Sequence, residues 1–404
     1  MNDSLLSDKK IIIASYAHII RGKYTTIGGP ALALKDFLRV RAKELLCVWQ
    51  PMPISDTLSI RVEFYEKNNP PRLYKLPVIN LSFGRKKTIS FIYIILKLRD
   101  IFSVFFSLIL FPKKADIFIG VEALDALAGV CLRKLGLFKL VIYYNLDYGV
   151  KRFSIPMLNW LFHFLDKLAV NNSDVTWSLS EQMLIERDKR GIVNNNGRHQ
   201  LVVPIGINFD QIQRLPFENI ERRRIVYLGL LEELQGVQLL IEVFPQLLIK
   251  FPDVSLVVIG SGNFEPDLKR IVRGAKLENH IRFTGTVSDE EAREILCKSA
   301  IGVAPYMDNA YSNTRFTEPT KPKTYLSCGL PVVITRIVKI AFDIDNATAG
   351  IAIDYNKADL IEALSKLLSD DALYKEYRQN AIAFAAQYDW KNIFGKALAQ
   401  SLSA

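Results

Sequence analysis

The sequence predicts an α/β protein built from two doubly wound domains. Three observations predict it. Short β-branched apolar runs recur along all 404 residues, and helix-period stretches lie between most of them. Strands that are apolar on both faces and alternate with helices indicate parallel sheets joined by crossovers. The chain is also long enough for two or three domains of roughly 100–200 residues, each with its own core.

Taken in order, the first strand is expected at residues 10–14 and a helix at 31–45. Strands at 115–120 and 140–144 flank a helix at 123–135. Residues 205–222 separate the halves, and Arg214-Leu215-Pro216-Phe217 together with the charged stretch 218–223 is expected to be the linker. The second half has strands at 224–228, 254–260, 280–284, 301–305 and 331–335, with helices at 237–250, 265–275 and 289–298.

Composition excludes several classes. Half of the residues are hydrophobic, which is too apolar for a disordered chain. The four cysteines lie far apart with no CxxC, so neither a disulfide scaffold nor a zinc module is expected. Residues 1–10 are polar and the run after them is too short for a signal core. Residues 1–200 carry 29 Lys+Arg against 17 Asp+Glu, and residues 201–404 carry 23 against 25. The basic excess belongs to the first half, which should therefore face something anionic. Basic residues are not interleaved with aromatics on a recognisable module, so no nucleic acid is expected.

Residues 88–111 are very apolar and are flanked by Arg85-Lys86-Lys87 and Lys113-Lys114. Lys97, Arg99 and Asp100 interrupt the run. A charge at the bilayer centre costs about 2.5–3.5 kcal/mol, which argues against a span. A buried helix, a helix that also dips into the membrane interface and, least favoured, a true span remain open.

Phosphate-binding loops are sought where strands meet helix N-termini, because backbone N–H groups and the helix dipole favour an anion there. Gly28-Gly29-Pro30 opens a helix after the first strand. Gly229 ends a strand and Gln235-Gly236 opens the next helix, while Gly260-Ser261-Gly262 ends another strand. Lys321 and Lys323 stand at a helix start, an unfavourable place for cations unless an anion binds there. A plain strand-to-helix turn and a solvated basic surface are the competing readings.

These pieces occur together and in order. VVPIGIN at 202–208, residues 229–236, residues 256–262, IRFTGTV at 281–287, GVAPY at 302–306 and residues 325–333 form one set. That set resembles the nucleotide-binding domain of the retaining family-four glycosyltransferases, whose fold is GT-B. Gly28-Gly29 and residues 141–147 match the N-terminal half more loosely. The resemblance implies two Rossmann-like domains facing a cleft: an acceptor-binding domain over 1–205 and a nucleotide-sugar-binding domain over 206–385. A helix over 386–404 would return to the first domain. It implies a nucleotide-sugar donor, a glycan or lipid-linked glycan acceptor, and no metal or other cofactor, since positive side chains and helix ends supply the charge.

Implied donor-binding residues are Gly28, Gly29, Gly229, Gln235, Gly236, Gly260, Gly262, Lys321, Lys323, Thr324 and Tyr325. Asp147 and Glu318 are the candidate catalytic residues, and Glu122 and Arg152 the candidate acceptor contacts. The expected pathway is polysaccharide or surface-glycan assembly on lipid-linked acceptors, at an anionic membrane surface on the cytoplasmic side. The chain also departs from the family. Leu230 and Gln235 stand where the family has an Arg and a Lys on the diphosphate, and Phe316 and Thr324 where it has two glutamates. Leu146 replaces a His before Asp147. Lys321 and Lys323 are therefore expected as a rebuilt clamp, with Glu318 as a substitute carboxylate and Arg315 as another candidate. A scaffold that has lost activity and a sugar-nucleotide epimerase remain as alternatives.

Overall fold

A computed structural model describes residues 5–17, 29–51, 59–67, 69–77, 114–153, 155–192, 199–308 and 319–403. It adds residues 99, 102 and 104–108 and the backbone of 19–20 and 23–24. The chain divides into two compact units: Met1–Pro204 with Trp390–Ala404, and Ile205–Asp389.

The first unit opens with β1 (Lys10–Ala17), a small antiparallel ribbon of β2 (Ile19–Ile20) and β3 (Lys23–Tyr24), and helix α1 (Gly29–Arg39). Three strands follow: β4 (Glu44–Pro51), β5 (Ser59–Glu66) and β6 (Arg72–Pro77). Then come β7 (Ala115–Val121), α2 (Ala123–Lys134), β8 (Phe138–Asn145), α3 (Pro156–Asn172), β9 (Val175–Ser178), α4 (Glu181–Lys189) and β10 (His199–Val202). The sheet order is β10-β9-β8-β7-β1-β4-β5-β6.

This sheet is mixed, which corrects the expectation of a purely parallel one. β4 runs parallel to β1, but β5 is antiparallel to β4 and β6 antiparallel to β5. The predicted helix over residues 31–45 also ran too far. Its spacing carries on through Leu45 and Leu46, but both belong to β4, buried in the middle of the sheet. Ile12, Ala14, Val48 and Phe118 share one core cluster, while Tyr143, Ala169 and Val170 sit in another.

The second unit begins its sheet with β11 (Glu221–Leu228), followed by α5 (Val237–Lys250), β12 (Ser255–Ile259), α6 (Glu265–Gly274) and β13 (Ile281–Gly285). It continues with α7 (Asp289–Lys298), β14 (Ser299–Ala304), α8 (Thr320–Ser327), β15 (Val332–Thr335), α9 (Lys339–Asn346) and β16 (Gly350–Ile353). Helices α10 (Lys357–Ser369) and α11 (Asp371–Ala386) close it, and α12 (Trp390–Ser403) belongs to the first unit. All strand pairs here are parallel, in the order β13-β12-β11-β14-β15-β16. Ile225 and Tyr227 enter one core cluster and Val226 the other, so β11 is apolar on both faces.

The expected linker is not a free connection. Its charged end is the start of β11, and Arg222 and Arg223 donate to the Leu367 and Leu368 carbonyls. Arg214 likewise donates to the Ser327 carbonyl at 2.6 Å. Of the apolar segment 88–111, only residues 99, 102 and 104–108 are described, with Val104 and Leu108 buried. No helix among the described residues is long and apolar enough to cross a membrane.

Helix α7 starts with a reciprocal cap. The Glu291 N–H donates to Ser288 Oγ at 3.2 Å, and the Ser288 N–H donates to Glu291 Oε2 at 3.3 Å. Replacing Ser288 with Ala should cost about 1 kcal/mol, read as a lower denaturant midpoint at unchanged slope.

Candidate functional site

In an open parallel sheet the crevice for a ligand lies at the carboxyl ends of the strands where the strand order reverses. In the second unit that point falls between β11 and β14, which neighbour each other although β12 and β13 come between them in sequence. The turns that leave β11 and β12 are interlocked. The Gly229 N–H donates to the Ile259 carbonyl at 2.9 Å, and the Leu231 N–H to the Ser261 carbonyl at 3.0 Å. A Cβ on Gly260 would lie 2.0 Å from the Gly229 oxygen, and one on Gly262 2.2 Å from the Leu231 oxygen. Backbone contact alone therefore accounts for glycine at both positions.

Gly236 caps α5 in the left-handed region at φ 76°, and a Cβ there would lie 1.7 Å from the Pro305 carbonyl oxygen. Just before it, the short helical turn Glu233–Gln235 presents Gln235. Lys321, on the first turn of α8, reaches this spot from a different element. Its Nζ donates to the Tyr227 hydroxyl at 3.0 Å and to Gln235 Oε1 at 3.0 Å. The ammonium lies 4.2 Å from the Tyr227 ring centre and 4.9 Å from that of Tyr306. Its stem passes Gly229, where a Cβ would come within 2.9 Å of Cε.

The ion-pair and hydrogen-bond partners of Lys321 among the described residues include no carboxylate. Burial without a compensating charge pushes its pKa down to about 7. A lysine in that state is the group whose charge an arriving anion would restore.

The other lysine is placed differently, which corrects the expectation of a two-lysine clamp. Lys323 is fully buried on the opposite side of α8, where Nζ donates to the Ile205 carbonyl at 2.7 Å and lies 4.1 Å from the Tyr388 ring centre. Helical spacing explains it, because residues two apart do not share a face. Tyr325, expected on the donor, is also core: its hydroxyl accepts from the Leu228 N–H at 2.6 Å and donates to the Val303 carbonyl at 3.3 Å. Thr324 donates to the Thr320 carbonyl of its own helix at 3.1 Å. Gly28, Arg315, Phe316 and Glu318 lie outside the described residues, and Gly29 opens α1.

In the first unit the strand order reverses between β7 and β1. Glu122 stands at the end of β7 with φ 79° and ψ 158°, a backbone conformation costly for any residue but glycine. It is held there by its N–H, which donates to the Tyr144 carbonyl at 3.0 Å, and by its carbonyl, which accepts from Ala126 at 3.2 Å. Nearby, buried Asp125 accepts from Gln50 Nε2 at 2.7 Å. Beyond β8, Asp147 forms an ion pair with Arg152, and its N–H donates to Asn145 Oδ1 at 3.1 Å. Asp147 does not cap α3, whose N-cap is Ile155.

Sequence reading missed Tyr227 and Tyr306, the walls around Lys321. The only signal was position: each sits within two residues of a strand end at the reversal point.

Two Rossmann-like units of this kind, each with its sheet reversing order, define the GT-B architecture. The sequence profile of the family Glycosyl transferases group 1 matches residues 222–370, within the second unit. The chain is 26% identical over 172 residues to a phosphatidyl-myo-inositol mannosyltransferase of Mycolicibacterium smegmatis. That match covers 42% of this chain and 42% of the relative, less than half of either. Among solved structures, Anabaena Alr3699/HepE in complex with UDP superposes with a TM-score of 0.64 at 14% identity, covering 98% of this chain and 99% of that one. Sucrose-phosphate synthase from Thermosynechococcus elongatus superposes with a TM-score of 0.63 at 14% identity, covering 98% and 99%.

Proposed function

We propose that the chain is a retaining glycosyltransferase of the hexosyltransferase type. It moves a sugar from a nucleotide-sugar donor held by the second unit to a glycan acceptor held by the first. The acceptor is lipid-linked and presented at the cytoplasmic face of a membrane, in polysaccharide or surface-glycan assembly. The observation that carries this reading is Lys321, a lysine without a described carboxylate partner, seated on Gln235 at the head of α5. It brings a cation to the position where the family's own lysine is missing. The UDP in Alr3699/HepE supports the nucleotide donor, and the mannosyltransferase named for phosphatidyl-myo-inositol supports a lipid-linked acceptor.

In this reading Asp147, fixed by Arg152 and by the Asn145 side chain, orients the acceptor hydroxyl. Glu122 contacts the acceptor from the end of β7. Lys321 and the N-terminus of α5 meet the charge of the leaving diphosphate, and Glu318 contacts the donor sugar. No metal takes part in this scheme.

Calorimetry with a panel of nucleoside diphosphates tests it, followed by a donor screen with membrane lipid extract as acceptor. One nucleotide should bind at a single site, with the same affinity in a chelator. A panel in which nothing binds would overturn the transferase reading. It would favour the scaffold, which the loss of charge at Leu230 and Gln235 otherwise supports. An isomerised sugar from donor alone would identify an epimerase instead.

A further inference from the structure

Helix α3 (Pro156–Asn172) buries Leu158, Ala169 and Val170 and leaves a second apolar row outside. Met157, Trp160 and Phe164 are 67%, 64% and 41% exposed, and Ile155 just before the helix is 41% exposed. The spacing of three and four places the three helical residues on one face. The Trp160 and Phe164 rings stack with centres 5.2 Å apart and planes 10° apart, so the row is an ordered surface.

Basic side chains border it. Lys151 precedes the helix, Lys167 continues the same face one turn beyond Phe164, and both are exposed without a carboxylate partner among the described residues. Exposed Arg190 donates to the Val150 carbonyl at 3.2 Å, which sets its guanidinium beside the turn that carries Lys151. Arg152 adds to the cluster although it is paired with Asp147.

From this arrangement we infer that the outer face of α3 docks the first unit onto an anionic lipid surface. Trp160, Phe164 and Met157 enter the headgroup boundary, and Lys151, Lys167 and Arg190 meet lipid phosphates. An apolar row flanked by cations is the pattern of an interfacial helix, and aromatic rings favour the boundary between headgroup and acyl chain. Charge selects lipid over a second copy of the chain. The row is bordered by exposed Lys151, Lys167 and Arg190, and the one acid of α3, Asp166, is buried, so two such faces would repel each other. The inference rests on the reading of an acceptor presented at a membrane, but its test needs no turnover.

The full-length chain is mixed with vesicles of phosphatidylcholine, alone or with phosphatidylglycerol at one part in three. Trp49 and Trp177 are buried and Trp390 is partly buried, so a change in indole emission reports mainly Trp160. On the anionic vesicles at low salt the emission should shift to shorter wavelength, and Trp160→Phe should abolish the shift while the protein still pellets. The variant M157S/W160S/F164S should pellet about tenfold less or worse. K151A and K167A should each lower binding to anionic vesicles about fivefold. All these positions are exposed, so thermal melts should match the parent chain.

Unchanged Trp160 emission, equal binding to neutral and anionic vesicles, or a triple variant that pellets like the parent would overturn the inference. So would a dimer in light scattering that W160S converts to monomer. Nucleotide binding should survive in the triple variant. Vesicle docking in a chain that binds no nucleotide would sink the transferase reading and leave the docking surface standing.

Discussion

Replacing Lys321 with Ala should weaken binding of the preferred nucleoside diphosphate about 10- to 100-fold. The substitution removes a charge-assisted contact worth about 1.5–3 kcal/mol beside a turn, residues 229–236, that has no Lys or Arg of its own. The loss should appear in the dissociation constant by calorimetry. Lys321→Met, which keeps most of the stem, should lose nearly as much. Binding within twofold of the parent would remove Lys321 from the site. The same residue predicts a pH dependence. In the free protein burial holds its pKa down at about 7, so above that pH the amine is mainly neutral. A bound diphosphate favours the ammonium and raises the pKa. Binding at pH 8 should therefore take up a proton, and affinity should fall as pH climbs above 7. Below pH 7 the amine is already charged and the uptake should fade. Titrations in buffers of different ionisation heat measure the proton count directly, and Lys321→Ala should bring it to zero at pH 8.

The second large effect is on stability, at a pair far from that site in sequence. Arg187 and Asp166 are both fully buried, joined by two hydrogen bonds of 2.9 and 2.7 Å. Ser178 Oγ accepts from the guanidinium at 2.6 Å, and the Tyr143 hydroxyl and Asn145 Nδ2 donate to the carboxylate at 2.8 and 3.2 Å. Burial works against the charge on Arg187, but the adjacent carboxylate outweighs it and holds the guanidinium above its ordinary pKa. Arg187→Leu strands the Asp166 charge in the core and should cost about 3–5 kcal/mol. For a unit of this size that is a melting temperature lower by about 10 °C. The double variant Asp166→Asn/Arg187→Leu should recover part of the loss, because no charge is left unpaired. A melting temperature within two degrees of the parent for the single variant would contradict the account. Asn145 links this network to Asp147, so the single variant should also disturb the proposed acceptor position.

The second unit was legible because its strands are buried on both faces. Runs such as Ile225 to Leu228 and Leu256 to Ile259 can be little else, and helix α5 was bounded by Gly236 at one end and by the next strand at the other. The first unit was less legible for definite reasons. β4 continues the apolar spacing of α1, and only pairing with β1 shows that it is extended. β5 and β6 are polar enough to pass for surface, since β6 is largely exposed at the sheet edge. At the site, the sequence located the turns and the α8 lysines but not which lysine faces the turn. That depends on the rotation of a short helix, which packing of Tyr325 and Lys323 against the core decides. The tyrosines around Lys321 come from β11 and from the residues after β14, so no local pattern could have joined them.

The interlocked turns after β11 and β12 set a condition on redesign. The turn after β12 supplies carbonyls that the turn after β11 needs, and Gly260 and Gly262 clear room for that turn's backbone. A graft that replaces residues 229–236 with the matching segment of a group 1 glycosyltransferase would inherit a partner turn shaped for a different backbone. A graft at this point should fold as the parent does only when residues 229–236 and 260–262 are transplanted together, as one cassette.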